Sequence, residues 1–283
     1  LTTNYRYNNM KAIKLILLGV SLFSILPLGA QVFDKPRSLA EADSLDRVQY
    51  RVLYQLDFIS DPTDREYVTQ DQVRLDIGTQ ISKVYSLKHY QADSAATPLI
   101  ETGQFPRKIV TDVVPPMILY RGYPKTQDIT TDYRLPAGAP VMSYVEPKPT
   151  LQWQVKPEKR EILGHSCQRA EVSFGGRQWI AWFTSEIPLS EGPYKFGGLP
   201  GLILEVADSE GDYRYTCIGI ANLAAGENIV RWKWNQRPTT RKELEKIIVQ
   251  LYANPEQAIK ALGGRMGFKG DPMLNLPYNP IEK

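Results

Sequence analysis

The chain has 283 residues, with 34 Lys and Arg against 31 Asp and Glu, two His and two Cys. So few histidines and cysteines exclude multi-zinc, haem-array and disulfide-dense designs. At 42% apolar and 23% charged residues, the composition is that of a folded globular protein, neither disordered nor collagenous.

The net charge of +3 gives a faint nucleic-acid signal that does not survive a closer look. Residues 1–30 hold Arg6, Lys11 and Lys14 and no acid, so without them 31 basic face 31 acidic residues. Lys11 to Lys14 form a basic start after Met10, followed by the twelve-residue apolar run Leu15–Leu26 and the small residues Gly29 and Ala30. This is the three-part pattern of a secretory signal peptide, with cleavage expected before Gln31 and residues 1–9 upstream of a start at Met10. The run is too short for a membrane anchor, which needs ~20 apolar residues. No second run of spanning length follows. The expectation is therefore an exported chain, periplasmic, outer-membrane-associated or extracellular, with residues 31–283 as a single domain. It has no transmembrane span, though peripheral membrane association stays open, and no nucleic-acid partner.

Along the mature chain, Ser38 to Asp46 read as a short helix or arm. Val48, Tyr50, Val52, Tyr54, Leu56 and Phe58 then alternate with mostly polar residues, the period-two pattern of a half-buried strand. Val73, Leu75 and Ile77 repeat it, and Ile81 to Leu87 return as a partner after Gly78-Thr79. Residues 97–150 contain nine of the 21 prolines; proline lacks the ladder donor, so edge strands and loops are expected there. Alternation resumes at Leu151, Trp153 and Val155. It continues in hairpins around Gly175-Gly176 and Asp208–Asp212, and in a last strand with Val230, Trp232 and Trp234.

The period then changes. Leu244, Ile247, Ile248 and Leu251 mark one apolar helix face, opened by a Thr240–Glu243 capping box. Asn254-Pro255 starts a second helix and Gly263-Gly264 would end it. The fold class is mainly β (α+β): an antiparallel sheet or open β-barrel of sequential hairpins with two short C-terminal helices.

Gly197-Gly198 and Pro200-Gly201 preset a tight loop before the strand Leu202–Leu204. Phosphate-cradling loops lead into a helix, so nucleotide binding is not expected and no cofactor is implied. The run Gly198-Leu199-Pro200-Gly201-Leu202-Ile203 matches, letter for letter, the motif that names the GLPGLI family. The similarity extends to Trp153, Lys159, Ile162-Leu163-Gly164, Cys167, Ala170, Gly176-Arg177, Ala181-Trp182, Glu186-Ile187-Pro188, Gly192-Pro193 and the closing Asn279-Pro280-Ile281-Glu282. His165 departs from it, standing where a Tyr fits the pattern. The resemblance implies a secreted protein of Bacteroidetes-type Gram-negative bacteria and brings no catalytic residue with it.

Export makes Cys167 and Cys217 a disulfide candidate; the alternative is two thiols kept as buried hydrophobes. His165 and Cys167 fall short of a zinc site, and no metal is expected. No Gly-x-Ser-x-Gly or His-Glu-x-x-His pattern occurs, and no residue is assigned a catalytic role. Carboxylates such as Glu186, Glu205 and Asp208 keep open a carboxylate-dependent hydrolase. The aromatic residues Trp153, Trp179, Trp182, Tyr194, Trp232 and Trp234, with Arg177 as a polar anchor, are candidates for a ligand or partner surface, against their other role as core residues. The leading expectation is a non-enzymatic envelope binding or interaction protein serving transport or assembly. Its partner would be an envelope protein or a small hydrophobic ligand.

Overall fold

A computed structural model of the chain describes residues 35–104, 115–136, 138–223, 227–263 and 277–283; the leader expected over residues 1–30 lies outside them. The described residues form β1 (Ala42–Arg47), β2 (Tyr50–Phe58), β3 (Thr69–Ile77), β4 (Ser82–Ser86), α1 (Leu87–Glu101), β5 (Met117–Arg121), β6 (Asp128–Arg134) and β7 (Val141–Pro147). Next come β8 (Gln154–Ile162), β9 (His165–Phe174), β10 (Arg177–Thr184), β11 (Leu202–Asp208), β12 (Tyr213–Asn222), β13 (Asn228–Trp232), β14 (Gln236–Pro238), α2 (Arg241–Ala253) and α3 (Pro255–Ala261). No helix among them is long and apolar enough to cross a membrane.

Twelve strands make one sheet in the order β14-β7-β6-β5-β4-β3-β2-β12-β11-β10-β9-β8, which does not close into a barrel. Its neighbours are antiparallel except β14 against β7, which run parallel. The alternation in β2 and β3 has its expected meaning. Val52, Tyr54, Leu56 and Phe58 share a core with Val73, Leu75 and Ile77 from one side, and with Leu202, Ile203, Leu204 and Val206 from the other. Burying each such side chain contributes about 1.5–3 kcal/mol.

Three expectations are corrected, and one element, α1, appears where no pattern marked it. Residues 42–47 are not a helix; they are strand β1, which pairs with β13 in a separate two-stranded ribbon. The proline-rich segment supplies three strands, and all of them are flanked on both sides, β7 by β6 and the short β14. Its prolines sit where no ladder donor is needed: Pro115 and Pro116 before β5, Pro124 in a turn, Pro136 and Pro140 between β6 and β7, and Pro147 at the last position of β7. Helix α1 carries no apolar stripe, because the side chains it buries are His89, Asp93 and Ala96. Finally, Cys167 and Cys217 are buried free thiols. Their strands β9 and β12 are separated by β10 and β11, and although Cys167 acts electrostatically on Cys217 within the same core, the two are not bonded. Burial pushes both thiols up to about 11.

The C-terminal helices form as the capping signals require. The Thr240 hydroxyl and the Glu243 side chain cap α2 reciprocally, and the Asn254 side chain accepts from Gln257 N at the start of α3. Leu244, Ile248 and Leu251 then pack on Met142 and Tyr144 of β7. The ribbon β1–β13 and α1 lie over the opposite face of β3–β6. That second layer buries side chains a one-sided sheet would leave in water, and it creates the site.

Candidate functional site

On β3 and β4, Asp76 stands across from Lys83, and Arg74 from Tyr85. Strand alternation puts all four on the face opposite Leu75 and Val84, under the ribbon. There they line a cavity of about 320 Å³ together with Tyr90 of α1 and Trp232 of β13. That volume is at the lower end of small-molecule sites.

Asp76 is the hub of its charges. One carboxylate oxygen accepts from Arg51 Nε at 2.7 Å, and both accept from Arg74 Nε at 3.0 Å. Tyr85 donates its hydroxyl to the second oxygen at 3.1 Å. Glu227, also at the cavity, pairs with the same two guanidinium groups at 2.9 and 3.1 Å. Both carboxylates are thus held by arginine, and burial still pushes Asp76 above the usual range.

Lys83 is 2% exposed. Its ammonium donates to Val230 O at 2.8 Å and lies 3.3 Å from the Trp232 ring centroid, 4.7 Å from that of Tyr85 and 5.5 Å from that of Tyr120. Asp132, the other acid acting on it, makes a two-point contact with Arg231 at 2.8 and 2.9 Å. Desolvation therefore outweighs the attraction of Asp76 and Asp132, and brings the amine down to about 7. Behind it Trp232 stacks on Trp234 at 5.1 Å and on Tyr90 at 6.1 Å.

The structure separates the aromatic residues that the sequence brought forward as one group. Trp232 lines the cavity, and Trp234 backs it, with its indole donating to Ser38 O. Trp179 is core, packed edge-on against Phe196 at 4.6 Å. Trp153 donates to Gly197 O at 2.8 Å, and so ties the strand edge to the glycine loop. Trp182 is half-buried under Arg160 at 4.2 Å. Tyr194 is buried and hydrogen-bonds Glu282. These four belong to the lobe of the glycine-rich motif and lie outside the cavity.

Arg177 serves that lobe as well. Its buried guanidinium donates to Asp208 at 2.6 Å, Asp212 at 2.8 Å, Asn279 at 2.7 Å and Pro280 O at 2.7 Å. Asp208, Glu210 and Asp212 are, among the described residues, a trio close enough to share a cation, but Arg177 contacts all three. Arg177, with Asn279 and Arg65, holds Asp212 down near 2 against its own burial. The carboxylates considered for hydrolysis are each engaged: Glu186 with His165, Glu205 with Arg160 and Arg214, Asp208 with Arg177.

The six-residue motif is a packing device. Leu199, Leu202 and Ile203 are buried, and the Tyr54 hydroxyl donates to Ile203 O at 2.7 Å. Gly201 has φ +155°, and a Cβ there would come 2.0 Å from Thr184 O; Gly198 has φ +86° but open space around it. Gly201→Ala is therefore expected to cost about 3 kcal/mol from strain plus overlap, and Gly198→Ala about 1 kcal/mol from strain alone. Equal losses for the two in urea unfolding would contradict this.

A family model described as "Protein of unknown function (Porph_ging)" matches residues 176–205. No curated protein matches the chain. Two solved structures of PNGF-II, in the P21 and C2 space groups, are 12% and 13% identical to it, each with a TM-score of 0.48. Each comparison covers 72% of this chain but 34% and 33% of the other, so the chain spans about a third of the length of those proteins. The family match runs from the start of β10 through the motif into β11. It supports kinship with a family of unknown function over the motif lobe, and does not reach the cavity.

Proposed function

We propose that the chain is an exported, non-enzymatic binding protein of the cell envelope, which holds a small ligand between the main sheet, α1 and the β1–β13 ribbon. The observation that carries this is the cavity itself, about 320 Å³, with aromatic walls from Tyr85, Tyr90 and Trp232 and nitrogen donors from Arg74 and Lys83. Such walls suit a ligand with a flat apolar part and a polar handle. The cavity's size fits a one-ring compound better than a lipid tail. Export rests on the basic start, apolar run and small residues of 11–30.

The same geometry speaks against acid–base hydrolysis here. Glycosidase-like work needs one carboxyl free to protonate and another free to attack or activate water, whereas Asp76 and Glu227 are both committed to Arg51 and Arg74. Native mass spectrometry of the protein recovered from its own envelope is expected to show one bound small molecule. Tyr90→Ala removes a half-buried wall residue and should weaken that binding about tenfold, the worth of one aromatic contact. Recovery of ligand-free protein, or a Tyr90→Ala variant that retains the ligand fully, would overturn the reading.

A further inference from the structure

We propose that the cavity captures small aldehydes or ketones covalently, with the Lys83 side-chain amine forming an imine with the carbonyl carbon. This rests on the cavity being a ligand site, and it names the chemical class that site takes. Four features of the geometry carry it.

First, Lys83 lines the cavity instead of sitting in closed core. Second, among the described residues no carboxylate holds its nitrogen. Asp76 is occupied by Arg51, Arg74 and Tyr85, and Asp132 by Arg231, which leaves the Val230 carbonyl as the acceptor at 2.8 Å. Third, the rings of Trp232, Tyr85 and Tyr120 surround the amine and offer an apolar seat to the organic part of a carbonyl compound. Fourth, the Tyr85 hydroxyl, which donates to Asp76 at 3.1 Å, lies on the same face of the sheet as the amine and gives the site a polar group beside its rings. Desolvation, which brings the amine to about 7, leaves much of it unprotonated at neutral pH, the condition a nucleophilic lysine requires.

The step balances without any other reagent. The nitrogen lone pair forms the C–N bond while the carbonyl π pair moves to oxygen. That oxygen takes up a proton lost from nitrogen. Departure of the hydroxyl group together with the remaining amine proton, as one water, leaves the C=N bond. Hydrolysis by the reverse path releases the ligand, so the capture is reversible.

Benzaldehyde tests this on the full chain, with benzyl alcohol as the matched compound that lacks the carbonyl. After incubation at pH 7.5 and borohydride reduction, peptide mass mapping is expected to find one benzyl group, on Lys83, at least tenfold above any other lysine. Its yield should rise with a midpoint near pH 7, while surface lysines need far higher pH. Lys83→Met should lose that adduct and keep the rest of the labelling map. Lys83 unlabelled, or labelled no faster than surface lysines, would overturn the imine. If benzyl alcohol then still raised the melting temperature of the wild type but not of Tyr90→Ala, the site would stand as a non-covalent one. If neither compound acted, the binding reading would fall with it.

Discussion

Replacing Arg177 with Met is expected to destabilise the protein by about 3–5 kcal/mol, the usual cost of breaking a buried ion pair from one side. Arg177 has a fully enclosed side chain and two buried acids, Asp208 and Asp212, within 2.8 Å. Without the cation, Asp208 loses its ion pair with Arg177, and Asp212 keeps Arg65 at 2.7 Å but loses one of the interactions that hold it near 2, so buried carboxylate charge is left less well matched. The same guanidinium holds Asn279 and the Pro280 carbonyl, so the C-terminal residues should lose their anchor too. Their remaining ties include the Asn279 amide to Ile59 O, the Tyr213 hydroxyl to Asn279 O, Lys283 N to Gly175 O and its ammonium to Glu210, and Glu282 with Tyr194, Lys195 and Arg241. Urea unfolding would give the energy, and amide exchange over residues 277–283 would report the release. A loss under about 1 kcal/mol with the tail still protected would contradict this account of the network.

Lys83→Met is expected to act in the opposite direction and to depend on pH. The folded-state value of Lys83 is about 7, below its ordinary 10.5. Between those values the unfolded chain binds the extra proton, so wild-type stability gains about 1.4 kcal/mol per pH unit from this group as pH rises. Below pH 7 the penalty of burying the ammonium is complete; above about 10.5 it is gone. Met fills a similar volume without a charge, so the variant's advantage over the wild type should be largest at pH 6 and shrink through pH 9. Losing the ring contacts and the Val230 hydrogen bond lowers the whole curve but leaves its slope intact. Denaturant unfolding of both proteins at pH 6, 7, 8 and 9 would read the difference directly. A difference independent of pH would mean that Lys83 titrates as an ordinary lysine.

The two predictions concern buried cations of opposite design. Arg177 is matched by acids and a carbonyl, and it locks the motif lobe to the end of the chain. Lys83 is matched by rings and one carbonyl, in a cavity whose acids belong to arginines. A satisfied charge of the first kind stabilises structure; an under-satisfied one of the second kind is what functional sites accumulate.

Much of the motif lobe was legible before any fold was known. The Gly197–Gly201 loop, the alternation around Val172 and Trp179, and the hairpin at Gly175-Gly176 are local signals, each set by φ freedom or by period two. The cavity was not legible in the same way. Its residues come from β3, β4, α1 and β13, with 158 as the last residue number gap from Arg74 to Trp232, and no motif links them. One signal was there in hindsight: Lys83 sits between Ile81 and Val84 in a strand that returns from a well-patterned partner. Helix α1 escaped notice because His89 and Asp93 replace the apolar stripe that marks helices. The prolines of 97–150 misled because proline forbids a ladder position without forbidding the strand beside it.

By itself the sequence determined the β-rich class, the inward face of β2 and β3, the capped helix at 241–253 and the tight loop at 197–201, since each depends on neighbours a few residues away. Tertiary structure alone decided what covers the outward face of β3–β6. Alternation marks one side of a strand as apolar, but it does not say whether the other side meets water or a second layer. Here residues 42–47 pair with residues 228–232 and close over that face. That long-range pairing turns Lys83, Asp76 and Tyr85 from surface residues into the walls of a site.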